Sequence, residues 1–115
     1  MSVMVVDDDD DIREELVSLL AQEGYAVCAA RDGQEALSLL YELVTLPSLV
    51  LLDMMMPRMN GNEFLDAVSL RPELGAMPIV VVSAYPGEVR RGARRIIPKP
   101  ISLTALLDVV AEFCR

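Results

Sequence analysis

Two stretches of this chain, Leu49–Leu52 and Ile79–Val82, are wholly apolar, with no polar residue interrupting either. A strand with one face to water alternates apolar and polar residues. An unbroken run needs cover on both faces, as strands of a parallel sheet have. Around these runs the chain repeats one pattern, a short apolar segment followed by a longer amphipathic one. Val3–Val6 is β-branched and ends in acids. Ile12, Leu16, Leu19 and Leu20 follow at helical spacing, with Asp9 or Asp10 as N-cap and Gly24 as terminator. Tyr25–Ala29 is predicted as a second strand. Ala36, Leu37, Leu40 and Leu43 predict a second helix that stops before Pro47. Phe64, Leu65 and Val68 mark a third helix ending near Pro72. Ala93–Ile97 is a fifth strand, and Leu103, Leu106, Leu107, Val110 and Phe113 form a final helix capped by Ser102. Val89–Arg95 is too short and too basic to be assigned as a helix. The pattern predicts one α/β domain over 1–115, doubly wound around a parallel five-stranded sheet with right-handed crossovers.

Composition narrows the chemistry. Histidine is absent, which excludes Ser-His-Asp and Cys-His nucleophilic sites and every histidine-containing zinc site. The chain therefore cannot itself donate a phosphoryl group from histidine. A net charge of −8 and the lack of tryptophan argue against direct nucleic-acid binding. No apolar run approaches a membrane span, and no basic residue precedes Arg13, so neither membrane insertion nor a signal peptide is expected. Cys28 and Cys114, far apart and outside any CxxC, are expected as two buried thiols in a reducing compartment, the cytoplasm.

Polar residues follow four of the five strands. Asp7 and Asp8 follow the first, Asp53 the third, Ser83 the fourth and Lys99 the fifth. Open parallel sheets bind ligands at the carboxyl ends of their strands. With strand order 2-1-3-4-5 these side chains converge on one pocket. Three carboxylates close together cannot all stay ionised without a counter-charge. Mg²⁺ suits them, because it takes oxygen ligands, keeps several waters and accepts phosphoryl oxygens. Lysine and a serine hydroxyl complete a set able to spread the charge of phosphoryl transfer onto a carboxylate nucleophile. Taken singly, the Asp7–Asp11 run could be a solvated cap, and Asp53 or Ser83 a turn residue. Lys99 is more specific, because Pro98 and Pro100 fix the backbone on both sides of it. The three methionines Met54, Met55 and Met56 are expected to pack rather than act.

The segments VVDDD at Val5–Asp9, LLDMMMPRMNG at Leu51–Gly61, VVSA at Val81–Ala84 and PKP at Pro98–Pro100 resemble the receiver domain of two-component response regulators. The resemblance spans essentially the whole chain and implies the flavodoxin-like (CheY-like) fold. It implies that Asp53 accepts a phosphoryl group from a sensor histidine kinase or a histidine phosphotransfer protein. It further implies that Asp7, Asp8, Asp53 and the backbone carbonyl of Met55 hold Mg²⁺, that Ser83 bonds the phosphoryl group, and that Lys99 pairs with its charge. A cis peptide is expected at Lys99–Pro100. The resemblance also implies a downstream protein or a fused output domain, neither of which the sequence names.

Two features depart from the family. The 16 positions from Ser83 to Lys99 are fewer than usual, so the fourth helix is expected to be short or missing, and with it the usual output surface. Ile96 stands where the family often has an aromatic switch residue. Met55 and Tyr85, two positions beyond Asp53 and Ser83, are expected to flank the phosphoryl group and slow its hydrolysis. Arg90, Arg91, Arg94 and Arg95 form either a solvated loop or a dock for an acidic partner. Two other functions compete with the phosphoacceptor switch. One is a receiver-like interaction module that is never phosphorylated. The other is a haloacid-dehalogenase-like phosphatase using Asp7-x-Asp9, for which the chain is short.

Overall fold

The computed structural model describes residues 2–56, 58–89 and 92–114. Its strands are β1 (Ser2–Val6), β2 (Ala26–Ala30), β3 (Leu49–Asp53), β4 (Ile79–Ser83) and β5 (Arg95–Pro98). Its helices are α1 (Asp10–Gln22), α2 (Gly33–Glu42), α3 (Gly61–Ser69) and α4 (Leu103–Phe113). The strands form one sheet of order β2-β1-β3-β4-β5, every pairing parallel.

Period-two alternation along the strands divides the core into two layers. Met4, Val6, Val50, Leu52, Ile79 and Val81 face one way and pack with α2 and α3 through Ala36, Leu40, Phe64, Leu65 and Val68. Val3, Val5, Leu49, Leu51, Val80 and Val82 face the other way, against Leu16 and Leu20 of α1 and Leu106 and Val110 of α4. The unbroken apolar runs are thus clad on both sides, as their composition requires.

Each helix starts at a residue suited to cap it. The Asp9 side chain accepts from the Asp11 and Ile12 amides at 3.0 and 3.1 Å. Asp32 caps α2, Asn60 and Glu63 form a reciprocal capping box on α3, and Ser102 caps α4.

Most strand ends shift by one residue, and two residues expected in strands, Tyr25 and Ala93, lie outside them. Tyr25 lies outside β2, because its amide closes the end of α1 on the Leu20 carbonyl at 3.1 Å. Ala93 lies outside β5. It packs with Val89 on the α2–α3 layer, just after Gly92 turns the chain with φ +114, and β5 starts at Arg95. Among the described residues the β4–β5 connection holds no α-helix, only a 3₁₀ turn at Pro86–Glu88. The expected loss of the fourth helix is therefore observed. Cys114 is buried as expected, but Cys28, on edge strand β2, is only half-buried. Neither forms a disulfide.

Phe64 is completely buried between α3 and the sheet. Phe64→Ala is expected to cost about 3–5 kcal/mol, read as a lowered urea midpoint at unchanged m-value.

Candidate functional site

The sheet register brings the sequence-predicted residues together at the carboxyl ends of the strands. Asp7 leaves β1 with its amide on the Ala30 carbonyl at 3.1 Å. Asp53 ends β3, paired in register with Val82, so Ser83 of β4 lies one step further out. Ser83 is paired with Pro98, and the Lys99 amide donates to the Ser83 carbonyl at 2.9 Å. The Lys99–Pro100 peptide is cis, as expected. Lys99 then reaches back across β4, and its Nζ lies 2.7 Å from Asp53 Oδ1. Asp7, Asp8 and Asp53 each bring a carboxylate oxygen within 4.8 Å of the other two. Asp7, Asp53 and Ser83 are buried, whereas Asp8 is exposed.

The charges are under strain. Burial pushes the Asp7 carboxyl up to about 6; the Asp9 amide counters part of this, while the neighbouring Asp53 and Asp8 charges add to it and Lys99 opposes it. Burial also raises Asp53, against the hydrogen bond and charge of Lys99. Partial burial would lower Lys99, but Asp53, Asp7 and Asp8 outweigh it and hold the ammonium above its ordinary value. Three carboxylates therefore face a single bound ammonium among the described residues. Hard oxygen donors with excess negative charge fit a small divalent cation.

Other expected residues have distinct fates. Ser83 Oγ accepts the Tyr85 amide at 3.0 Å. Met54 is buried and Met56 packs on the core, but the Met55 side chain is 67% exposed, so the expectation of three packing methionines holds for two. Tyr85 is 65% exposed and Ile96 is 39% exposed. Arg90 and Arg91 lie outside the described residues. Arg95 pairs with Glu112 at 2.5 Å and covers the Phe113 ring, so it is engaged by α4.

Sequence reasoning missed two supporting residues. Arg13 donates through Nη1 to the Asp7 carbonyl at 2.9 Å and pairs with Asp10, bracing the acidic turn. Asp32 caps α2 and pairs with Arg58. Burial would raise Asp32, yet the Glu35 amide and the Arg58 guanidinium more than offset it and hold the carboxyl below its usual range. Only its helical spacing, three residues after Asp10, could have flagged Arg13. Nothing local pairs Asp32 with Arg58.

An acid cluster and a lysine thus meet at the carboxyl ends of a parallel α/β sheet, the place where folds of this class bind ligands. The "Response regulator receiver domain" family model matches residues 3–111. An uncharacterized 14.6 kDa protein of Leptolyngbya boryana is 35% identical over 99% of this chain and 90% of its own length. Response regulator MprA of Mycolicibacterium vanbaalenii is 40% identical over 91% of this chain. There the match covers 46% of the relative, so this chain spans about half its length. The crystal structure of the receiver domain from hybrid histidine kinase CckA superposes with a TM-score of 0.84 at 30% identity, covering both chains completely. The chain belongs to the response regulator receiver domain family, the phosphoacceptor domains of two-component signalling. This places it outside the phosphatases that Asp7-x-Asp9 suggested. No helix among the described residues is long and apolar enough to cross a membrane.

The raised Asp7 pKa has a signed consequence. Between pH 4 and pH 6 the folded protein holds a proton that the unfolded chain has lost, so stability falls as pH rises through that window. Denaturation in EDTA is expected to show a decline on the order of 2 kcal/mol across it, much reduced in Asp7→Asn.

Proposed function

We propose that this chain is a phosphorylated switch in which Asp53 is the nucleophile. The observation that carries this is the Lys99–Asp53 ion pair beside two further aspartates at the strand ends. Asp53 attacks the phosphorus of a phosphohistidine. The P–N bond breaks, the imidazole nitrogen keeps the bonding pair and takes up a proton, and an acyl phosphate remains on Asp53. The donor is a sensor histidine kinase or a histidine phosphotransfer protein, which supplies the histidine this chain lacks.

Asp7, Asp8, Asp53 and the Met55 carbonyl are the proposed holders of Mg²⁺. When bound, the ion supplies positive charge that lets the carboxylates stay ionised and stabilises the charge developing on the phosphoryl oxygens. Lys99 is already held at Asp53 and is placed to move its partnership to the phosphoryl oxygens. The Ser83 hydroxyl is oriented by the Tyr85 amide and is proposed to turn and donate to another of those oxygens. That turn removes the acceptor of the Tyr85 amide and so reaches the β4–β5 connection. The output is a downstream protein or a fused domain, and cytoplasmic placement is supported by the two free thiols.

Incubation with Mg²⁺ and a small-molecule phosphodonor is expected to add one phosphoryl group to wild type and none to Asp53→Asn, read by intact mass. Lys99→Ala is expected to slow the reaction at least tenfold, the scale of lost transition-state charge stabilisation. An unmodified wild type would instead establish a purely binding module, the alternative that the missing β4–β5 helix favours. Met55 and Tyr85, exposed beyond Asp53 and Ser83, are proposed to obstruct hydrolytic water. Met55→Asn and Tyr85→Ser are each expected to shorten the lifetime of the phosphorylated form several-fold in a chase experiment. Unchanged lifetimes in both variants would reject that role.

A further inference from the structure

We propose that Asp32 and Arg58 are positioning residues for the cation site, clamping the loop after Asp53 onto the first turn of α2. The inference rests on the proposed assignment of Asp7, Asp8, Asp53 and the Met55 carbonyl as a Mg²⁺ site.

The segment leaving Asp53 is fixed at Met54. The Gly61 amide donates to the Met54 carbonyl at 3.0 Å, and the Met54 amide donates to the Val82 carbonyl at 3.2 Å. A Cβ on Gly61 would stand 2.8 Å from Met54 Sδ and 3.0 Å from Met54 Cα, so α3 starts in contact with the chain leaving Asp53. The outer part of the loop is tied to a different element. The Gly33 amide donates to the Met59 carbonyl at 3.4 Å, and a Cβ on Gly33 would lie 2.7 Å from Met59 Cγ. Next to this contact the Arg58 guanidinium pairs with Asp32.

The Asp32 carboxylate divides its work. Oδ1 accepts the Glu35 amide at 2.9 Å and so caps α2, while Oδ2 accepts from Arg58. Its side chain is 2% exposed. A buried carboxylate is far more than a cap requires, since a neutral asparagine or serine caps a helix as well. Arg58 also has φ +62, the left-handed region that side chains bearing a Cβ disfavour. An arginine held in that conformation and spent on a buried carboxylate indicates that the guanidinium is needed there.

What the clamp presets is the position of the Met55 carbonyl, which lies two residues from Asp53 and between the two tethers. Mg²⁺ tolerates little departure from octahedral geometry, so a carbonyl donor on a slack loop loses affinity. Partners that orient metal ligands typically change affinity about 10–100-fold.

The test is Mg²⁺ titration of the whole chain by calorimetry, with phosphorylation as a second readout. Asp32→Asn keeps the capping oxygen and removes the charge. Arg58→Gly removes the guanidinium and adopts the left-handed backbone freely. Each is expected to raise the Mg²⁺ dissociation constant about tenfold, the double variant no further than either single one, and Arg58→Lys to recover part of the loss. The Mg²⁺ concentration for half-maximal phosphorylation should rise equally, while the rate at saturating Mg²⁺ stays within about twofold of wild type. Lower melting temperatures with an unchanged dissociation constant would make the pair merely structural and overturn the proposal. Wild-type binding that Asp8→Asn abolishes but the clamp variants leave intact would sink the clamp alone. No Mg²⁺ binding by wild type would sink the cation site and the clamp together.

Discussion

The Lys99–Asp53 ion pair is the contact on which the rest of the site depends. Asp53 is buried at the end of a central strand, where an uncompensated carboxylate would be costly to keep ionised. The ammonium that offsets it comes from edge strand β5, with β4 lying between. The pair therefore forms only if β3, β4 and β5 are parallel and in one register. A slip by a single residue would send alternate side chains to the opposite face. The unbroken apolar runs of β3 and β4 oppose such a slip only weakly, since both faces of each are apolar. The hydrogen bond from the Lys99 amide to the Ser83 carbonyl helps fix the register at the site itself.

Against that single positive charge stand three carboxylates, two of them buried. The fold accepts this imbalance and spreads its support over neighbouring elements. Arg13 braces the turn that carries Asp7 and Asp8, using a backbone carbonyl rather than their carboxylates. Asp32 ties Arg58, five residues beyond Asp53, to the start of α2. Neither arginine neutralises the acid cluster directly, which leaves its charge available to a cation.

The strands and the four strand-end positions were legible because each rests on a local signal, whereas the strand order rested on the fold that the family resemblance implies. Period and run length mark the strands, and Asp9 and Ser102 mark helix starts. Where local signals competed, boundaries moved. Tyr25 has the β-propensity of a strand residue, yet its amide is used by the end of α1. Ala93 stands two arginines before the apolar pair Ile96 and Ile97 of β5, and the turn at Gly92 directs it to the α2–α3 layer instead. Cys28 looked like a core thiol, and only the sheet order shows that β2 is an edge. The Asp32–Arg58 pair spans 26 positions and follows from how α2 meets the β3–α3 loop, which no window of sequence contains. Met55 was grouped with its neighbours by composition, although all three follow the end of β3 at Asp53, and there Met54 turns inward while Met55 stays exposed.

The β4–β5 connection lets the sheet carry two helices on each face, rather than two on one and three on the other. Its ties among the described residues include Asn62 Nδ2 to the Glu88 carbonyl at 3.0 Å, the Arg94 amide to the Ile79 carbonyl at 2.8 Å, and the packing of Val89 and Ala93 on the core. Chain added between Tyr85 and Val89 would displace no buried helix. The cost of lengthening a flexible loop is small, about 0.6 kcal/mol for each doubling. This corner of the domain is therefore one where insertions are thermodynamically cheap, and where chain length can vary while the acids and the lysine stay where they stand.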